Sequence, residues 1–156
     1  DQYRVIKRPL IDNAMGKGAT PVANGNLIMV TSYVPGEGKS FIAANLAVSL
    51  SLTGKKVVLV DLDLNNPSLS KILGVNYEHG ITEFLEGEKK PAEIINKLGD
   101  YENMYFVAAG SFFHRGSVAG KSYKRVANPI LIYYSPPAHV RHSTEGSAFY
   151  VVQADS

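Results

Sequence analysis

The stretch LIMVTSYVPGEGKSFIAANLAVSL (27–50) limits the fold more than any other part of the chain. Its opening, LIMVTS (27–32), is a short apolar run bounded by turn residues, the pattern of a buried strand. From 38 to 53 the residues are nearly all apolar over a helical length, and Gly54 supplies a stop. Between the two the chain must turn sharply, and Gly36 and Gly38 stand where it does so. A strand feeding a long buried helix is one unit of an α/β layered fold. The same alternation continues along the chain. KVVLVD (56–61), MYFVAAG (104–110), ILIYY (130–134) and AFYVVQA (148–154) read as strands. PSLSKIL (67–73), ITEFLEG (81–87) and PAEIINKL (91–98) read as short helices, the last with Pro91 in its first turn. The expectation is an α/β fold of three layers with a mostly parallel central sheet.

The first 26 residues stand apart from this pattern. DQYRVIKRPLIDNA carries apolar and basic residues at mixed helical spacing and is interrupted by Pro9, and MGKGATPVANGN after it reads as a loop. We therefore divide the chain into an N-terminal helix and loop (1–26) and an α/β unit (27–156), within one domain. At 156 residues, 45% apolar and 19% charged, the chain can bury one substantial core. A formal charge of +2 is too near neutral to single out nucleic acid or an anionic membrane as the main partner. The absence of cysteine excludes a disulfide framework, a thiolate zinc site and an iron–sulfur cluster, and fits a cytoplasmic setting. No apolar run approaches the roughly 20 residues of a membrane span. The chain opens at Asp1 without a signal-peptide pattern, as an excised or trimmed piece of a longer protein would.

Strand, glycine turn and helix together leave several backbone N–H groups aimed at one spot, where the helix N-terminus adds its partial positive charge. Lys39 can then reach the β- and γ-phosphates of a nucleotide, and the Ser40 hydroxyl can ligate Mg²⁺. Pro35, Gly36, Glu37, Gly38, Lys39, Ser40 and Phe41 are the candidate nucleotide-binding residues, although Tyr33 occupies the place where such loops usually open with glycine. The plain alternative is an ordinary glycine turn. A second Gly-Lys-Ser, within VAGKSYK (118–124), has no strand before it and is attributed to chance. The strand VVLVD ends in Asp61, with Asp63 two residues on, so both carboxylates fall at the C-terminal edge where open parallel sheets bind ligands. They can hold Mg²⁺ through water or accept a proton from a nucleophile; alone, they could equally be solvated acids opening a turn. His139 and His142 lack an evident third ligand and read as a solvated loop.

Six segments, YRVIKRPLIDNA, NGNLIMVTSYVPGEGKS, ANLAVSL, VVLVDLDLNNPSL, GITEFLEGE and MYFVAAG, give 4–110 a specific resemblance. It resembles the cytoplasmic ATPase domain of bacterial tyrosine kinases that accompany exopolysaccharide export. The nearest branch is the exosortase-associated tyrosine autokinases of the ParA/MinD-like P-loop superfamily. The resemblance implies a P-loop NTPase fold, ATP or ADP with Mg²⁺ as cofactors, and γ-phosphoryl transfer to tyrosine. It implies catalytic roles for Lys39, Asp61 and Asp63, with Ser40, Asp61 and Asp63 toward the metal. It further implies a homo-oligomer, a membrane polysaccharide co-polymerase or chain-length protein as partner, no nucleic acid, and a place at the inner face of the membrane. Asp1, Arg4 and Lys7 fall where the family has a pattern used in ring assembly, or simply face solvent on an amphipathic helix.

The chain also departs from the family. Asn65 stands at a usual arginine, and Tyr134 at the end of ILIYYSPP stands where the third motif has an aspartate. The 111–129 stretch is short, and the sequence ends before the strands expected to hold adenine. Transfer is therefore expected to be weak or absent. Two rivals remain: a non-catalytic nucleotide-binding regulatory subunit, and a partition-type ATPase, which would carry a lysine at Val34.

Overall fold

The computed structural model describes residues 4–14, 17, 26–32, 34, 36–111, 115 and 130–134. The elements run α1 (Arg4–Ala14), β1 (Leu27–Val30), α2 (Lys39–Ser51), β2 (Val57–Asp61), α3 (Leu69–Leu73), α4 (Ile81–Leu85), α5 (Pro91–Ile94), β3 (Asn96–Lys97), β4 (Met104–Val107) and β5 (Ile130–Tyr134). The five strands form one sheet in the order β1-β5-β2-β4-β3. β2 and β4 pair in parallel, whereas β5 runs antiparallel to both β1 and β2, and β3 antiparallel to β4.

Three strands, β1, β2 and β4, thus point the same way, as the alternation of strands and helices predicts. β5 lies between β1 and β2 in the reverse direction, so the sheet as a whole is mixed. An apolar run carries no polarity in its pattern, so the sequence fits a central strand in either direction.

Side-chain alternation along the strands divides the interior into two layers. Val57, Leu59, Met104, Phe106 and Ile132 pack on one face with Ala43, Ala47 and Leu50 of α2 and Leu69 of α3. Val60 and Val107 pack on the other face with Ile81 of α4 and Ile94 of α5. Helices therefore cover both faces, which is the three-layer architecture. The alanines of α2 let that helix lie close to the sheet, and each large side chain buried there contributes about 1.5–3 kcal/mol. α1 sets Leu10 and Ile11 against the same core and continues through Pro9, since Val5 and Pro9 share its exposed side, where the lost backbone bond meets water.

The helix expected over 91–98 is shorter than its pattern. α5 ends at Ile94, and Asn96 and Lys97 join the sheet edge opposite Phe106 and Tyr105. The strand expected over 148–154 lies outside the described residues.

Candidate functional site

The shared direction of β1, β2 and β4 brings their C-terminal ends to one edge of the sheet, where three loops meet. The first follows β1. Gly36 and Gly38 take φ values of 88° and 85°, a left-handed conformation that side chains disfavour, and space is open where a Cβ would stand on either. The Val34 N–H donates to Glu37 Oε2 at 3.2 Å and closes the turn. Gly38 caps α2 without a side-chain acceptor, so the N–H groups of the first turn face the loop. Phe41, in that turn, is exposed. Pro35 and Tyr33 lie outside the described residues.

The second loop follows β2. Asp61 is fully buried: its Oδ1 accepts the Asp63 N–H at 3.0 Å and its Oδ2 the Leu69 N–H at 3.4 Å. Burial pushes its carboxyl up to about 6, against those two hydrogen bonds, with the neighbouring Asp63 charge adding to the rise and Lys39 opposing it. Asp63 Oδ1 accepts the Asn66 N–H at 3.0 Å, and its Oδ2 accepts from Lys39 Nζ at 3.0 Å. Both partners of that ion pair are nine-tenths buried, at 11% side-chain exposure each. The hydroxyls of Ser40 and Ser68 lie 2.6 Å apart. Two contacts therefore tie the glycine loop to the acidic loop, bringing Lys39 to Asp63 and Ser40 to Ser68.

The third loop follows β4 and is held by Glu83, a residue the sequence reading passed over. Its Oε2 accepts the Gly80 N–H at 2.7 Å and the Thr82 hydroxyl at 3.2 Å, and its Oε1 accepts the Ser111 N–H at 2.8 Å. Burial pushes the Glu83 carboxyl up, but the N–H groups of Ser111 and Gly80 and the Ser111 hydroxyl outweigh it and hold it at about 2. Gly110, at φ 106°, passes so close that a Cβ there would strike Thr82 Oγ1. The only signal in sequence was the G-x-x-E spacing, in which a glutamate at the third helical position reaches back to the cap. A cleft of about 390 Å³ lies between this loop and α3, lined by Pro67, Lys71, Tyr77 and Gly110 among others. Arg115 Nη1 donates to the Leu64 carbonyl at 3.1 Å, bringing a guanidinium beside Asn65.

Tyr134 is not at this edge. It pairs with Val57 at the start of β2, whereas Asp61 pairs with Ile130. Four residues of strand, about 13 Å, separate the two levels. The expectation that Tyr134 takes a carboxylate's place beside the metal is therefore corrected: the motif gives the strand its place in the sheet but not its direction. The histidines at 139 and 142 and the second Gly-Lys-Ser lie outside the described residues.

Whether this site fits a divalent ion can be judged from its donors. No group of three or more His, Cys, Asp or Glu side chains converges as a metal site among the described residues. Ser40, Asp61 and Asp63 supply one hydroxyl and two carboxylates, all oxygen. That set suits Mg²⁺, which takes few protein ligands and completes its shell with phosphate and water.

Glycine loop, buried lysine and strand-end aspartates on one edge of a three-layer sheet define a P-loop nucleotide-binding protein. Residues 24–124 match the family model described as ParA, NUBPL iron-transfer P-loop NTPase, and the chain belongs to that P-loop family. Among its relatives is the tyrosine-protein kinase wzc of Salmonella typhimurium, 36% identical over 80 residues, covering 47% of this chain and 11% of the kinase. Another is the septum site-determining protein MinD of Thermotoga maritima, 28% identical over 112 residues, covering 70% of this chain and 41% of MinD. The kinase domain of Escherichia coli tyrosine kinase ETK has the same fold, with a TM-score of 0.52 at 24% identity, covering 57% of this chain and 35% of that one. MinD from Pyrococcus horikoshii, solved with Mg-ADP, gives a TM-score of 0.50 at 34% identity, over 55% of this chain and 35% of that one. The chain spans well under two thirds of each of these proteins. No helix among the described residues is long and apolar enough to cross a membrane.

Proposed function

We propose that this chain is the ATP-binding part of a protein-tyrosine autokinase that regulates exopolysaccharide polymerisation or export. The observation that carries this reading is the 3.0 Å contact between Lys39 and Asp63, which joins the phosphate loop to the acidic motif at one point. Kinase relatives that match about half of this chain support it. In this reading the unit 27–156 holds ATP or ADP through 35–41, and Lys39 meets the β- and γ-phosphates. Ser40, Asp61 and Asp63 hold Mg²⁺, which neutralises charge on the phosphates when bound. The tyrosine oxygen forms a bond to the γ-phosphorus as the bond to the β-phosphate oxygen breaks, and Asp61 or Asp63 takes the phenolic proton. The acceptor tyrosines belong to a neighbouring copy, and the assembly works beside a membrane polysaccharide co-polymerase at the cytoplasmic face. Val34, in place of a lysine, disfavours a partition-type ATPase.

A regulatory subunit that binds nucleotide without transferring it is the second reading. It is favoured by the way Asp61 spends both oxygens on backbone N–H groups. Incubation with Mg²⁺ and γ-labelled ATP, followed by phosphotyrosine detection, separates the two. We expect low but Mg²⁺-dependent phosphotyrosine that is lost in Asp63→Asn. Nucleotide binding without any transfer would establish the regulatory subunit, and transfer undiminished in Asp63→Asn would overturn the assignment of the carboxylates.

A further inference from the structure

We propose that Ser68 is a positioning residue for the metal, holding the Ser40 hydroxyl so that it presents a lone pair to Mg²⁺; this rests on the phosphate-loop reading above. A serine hydroxyl has one proton and two acceptor sites. To ligate a cation, Ser40 must direct a lone pair at it and donate its proton elsewhere. The Ser68 oxygen lies 2.6 Å from Ser40 Oγ, near the short end of the O–H···O range, and both side chains are partly buried.

The position of Ser68 is itself fixed. Pro67 precedes it, and the next residue, Leu69, is fully buried with its N–H turned to Asp61 Oδ2. The carboxylate bordering the metal site thus anchors the backbone that carries the Ser40 acceptor. Among the described residues the acids of the three loops at this edge are Glu37, which accepts the Val34 N–H, Glu83, which accepts the Gly80 and Ser111 N–H groups, and Asp61 and Asp63. Asp61 accepts two backbone N–H groups, and Asp63 accepts from Lys39 and from the Asn66 N–H. β5 turns its other end, Ile130, toward Asp61, so its Tyr134 end contributes no acceptor here. Ser68 is the group in contact with Ser40 Oγ, and the acidic loop delivers it.

The test is the Mg²⁺ dependence of ADP binding, followed by calorimetry in the whole chain and in Ser68→Ala and Ser68→Thr. Loss of a group that orients a metal ligand costs about 10–100-fold in metal affinity. Ser68→Ala should therefore raise the Mg²⁺ concentration for half-maximal effect at least about tenfold, while ADP affinity in EDTA stays the same. Ser68→Thr, which keeps the hydroxyl, should hold the wild-type Mg²⁺ dependence. An unchanged Mg²⁺ dependence in Ser68→Ala would overturn the proposal with the phosphate loop intact. So would an equal loss of affinity with and without Mg²⁺, which marks a purely structural role. If the unaltered chain binds no ADP, the phosphate-loop reading fails, and this proposal with it.

Discussion

Asp61 and Glu83 are both buried carboxylates, yet they titrate in opposite directions because of what surrounds them. Desolvation dominates at Asp61 and raises its pKa to about 6. In the unfolded chain the group ionises near its ordinary 3.8, so between those values the native state holds more protons. Stability from Asp61 is therefore greatest below about pH 4 and declines as pH rises through 6. At Glu83 desolvation is outweighed by the donors of Ser111 and Gly80, and the pKa falls to about 2. Its contribution is complete above the ordinary 4.5 and is lost as pH falls toward 2. Glu83→Gln should cost roughly 1.5–3 kcal/mol at pH 7, the scale of hydrogen bonds to a charged group. That cost should shrink steadily below pH 4.5. Thermal melts of both proteins across pH 2–8 check this, and a cost that does not vary with pH would contradict it. In the same melts the wild type should lose ground to Asp61→Asn as pH rises from 4 to 6.

The elements were legible where periodicity and punctuation agreed. LIMVTS, VVLVD and MYFVAAG marked their strands within three residues of the run, because a buried strand needs little beyond apolar side chains between turns. α2 was legible from its length and from Gly54. PAEIINKL was not, since its apolar spacing serves a helical turn and an edge strand equally, and pairing with β4 decided between them. Strand direction was the larger gap. ILIYY carries no polarity in its pattern, so its motif-based alignment put Tyr134 at the metal end, while the register puts it beside Val57. Ser68 and Glu83 were missed for a related reason: each acts through a partner distant in sequence or through backbone N–H groups, which composition does not mark. The reversed strand has a direct check, because the chain has no cysteines of its own. Antiparallel partners stand about 4.5–5.5 Å apart at Cα, within disulfide reach. Val57→Cys with Tyr134→Cys should cross-link on mild oxidation, and Asp61→Cys with Tyr134→Cys should not. The opposite pattern would mean that β5 is parallel. With β5 as described, Tyr134→Asp should leave any Mg²⁺-dependent turnover within about twofold of wild type.

For the molecule as a whole, the sheet gathers three loop-bearing strand ends at one edge, where the Lys39–Asp63 and Ser40–Ser68 contacts join the glycine loop to the acidic loop and Asp61 holds the Leu69 N–H beside Ser68. That convergence supports a nucleotide site whatever reaction follows, and the P-loop family to which the chain belongs gives it a setting. Kinase, regulatory subunit and partition ATPase all require the loop to hold phosphate, so this requirement comes before any choice among them. Lys39, whose Nζ lies 3.0 Å from Asp63 Oδ2, is the member proposed to meet the phosphates. Replacing it with methionine keeps the length and apolar stem and removes a charge-assisted contact worth roughly 1.5–3 kcal/mol. Calorimetric titration of MgADP into the unaltered chain and into Lys39→Met measures this directly. The account requires binding by the first and an affinity at least about tenfold weaker in the second. Equal affinity in the two proteins, or no binding by the unaltered chain, would contradict it.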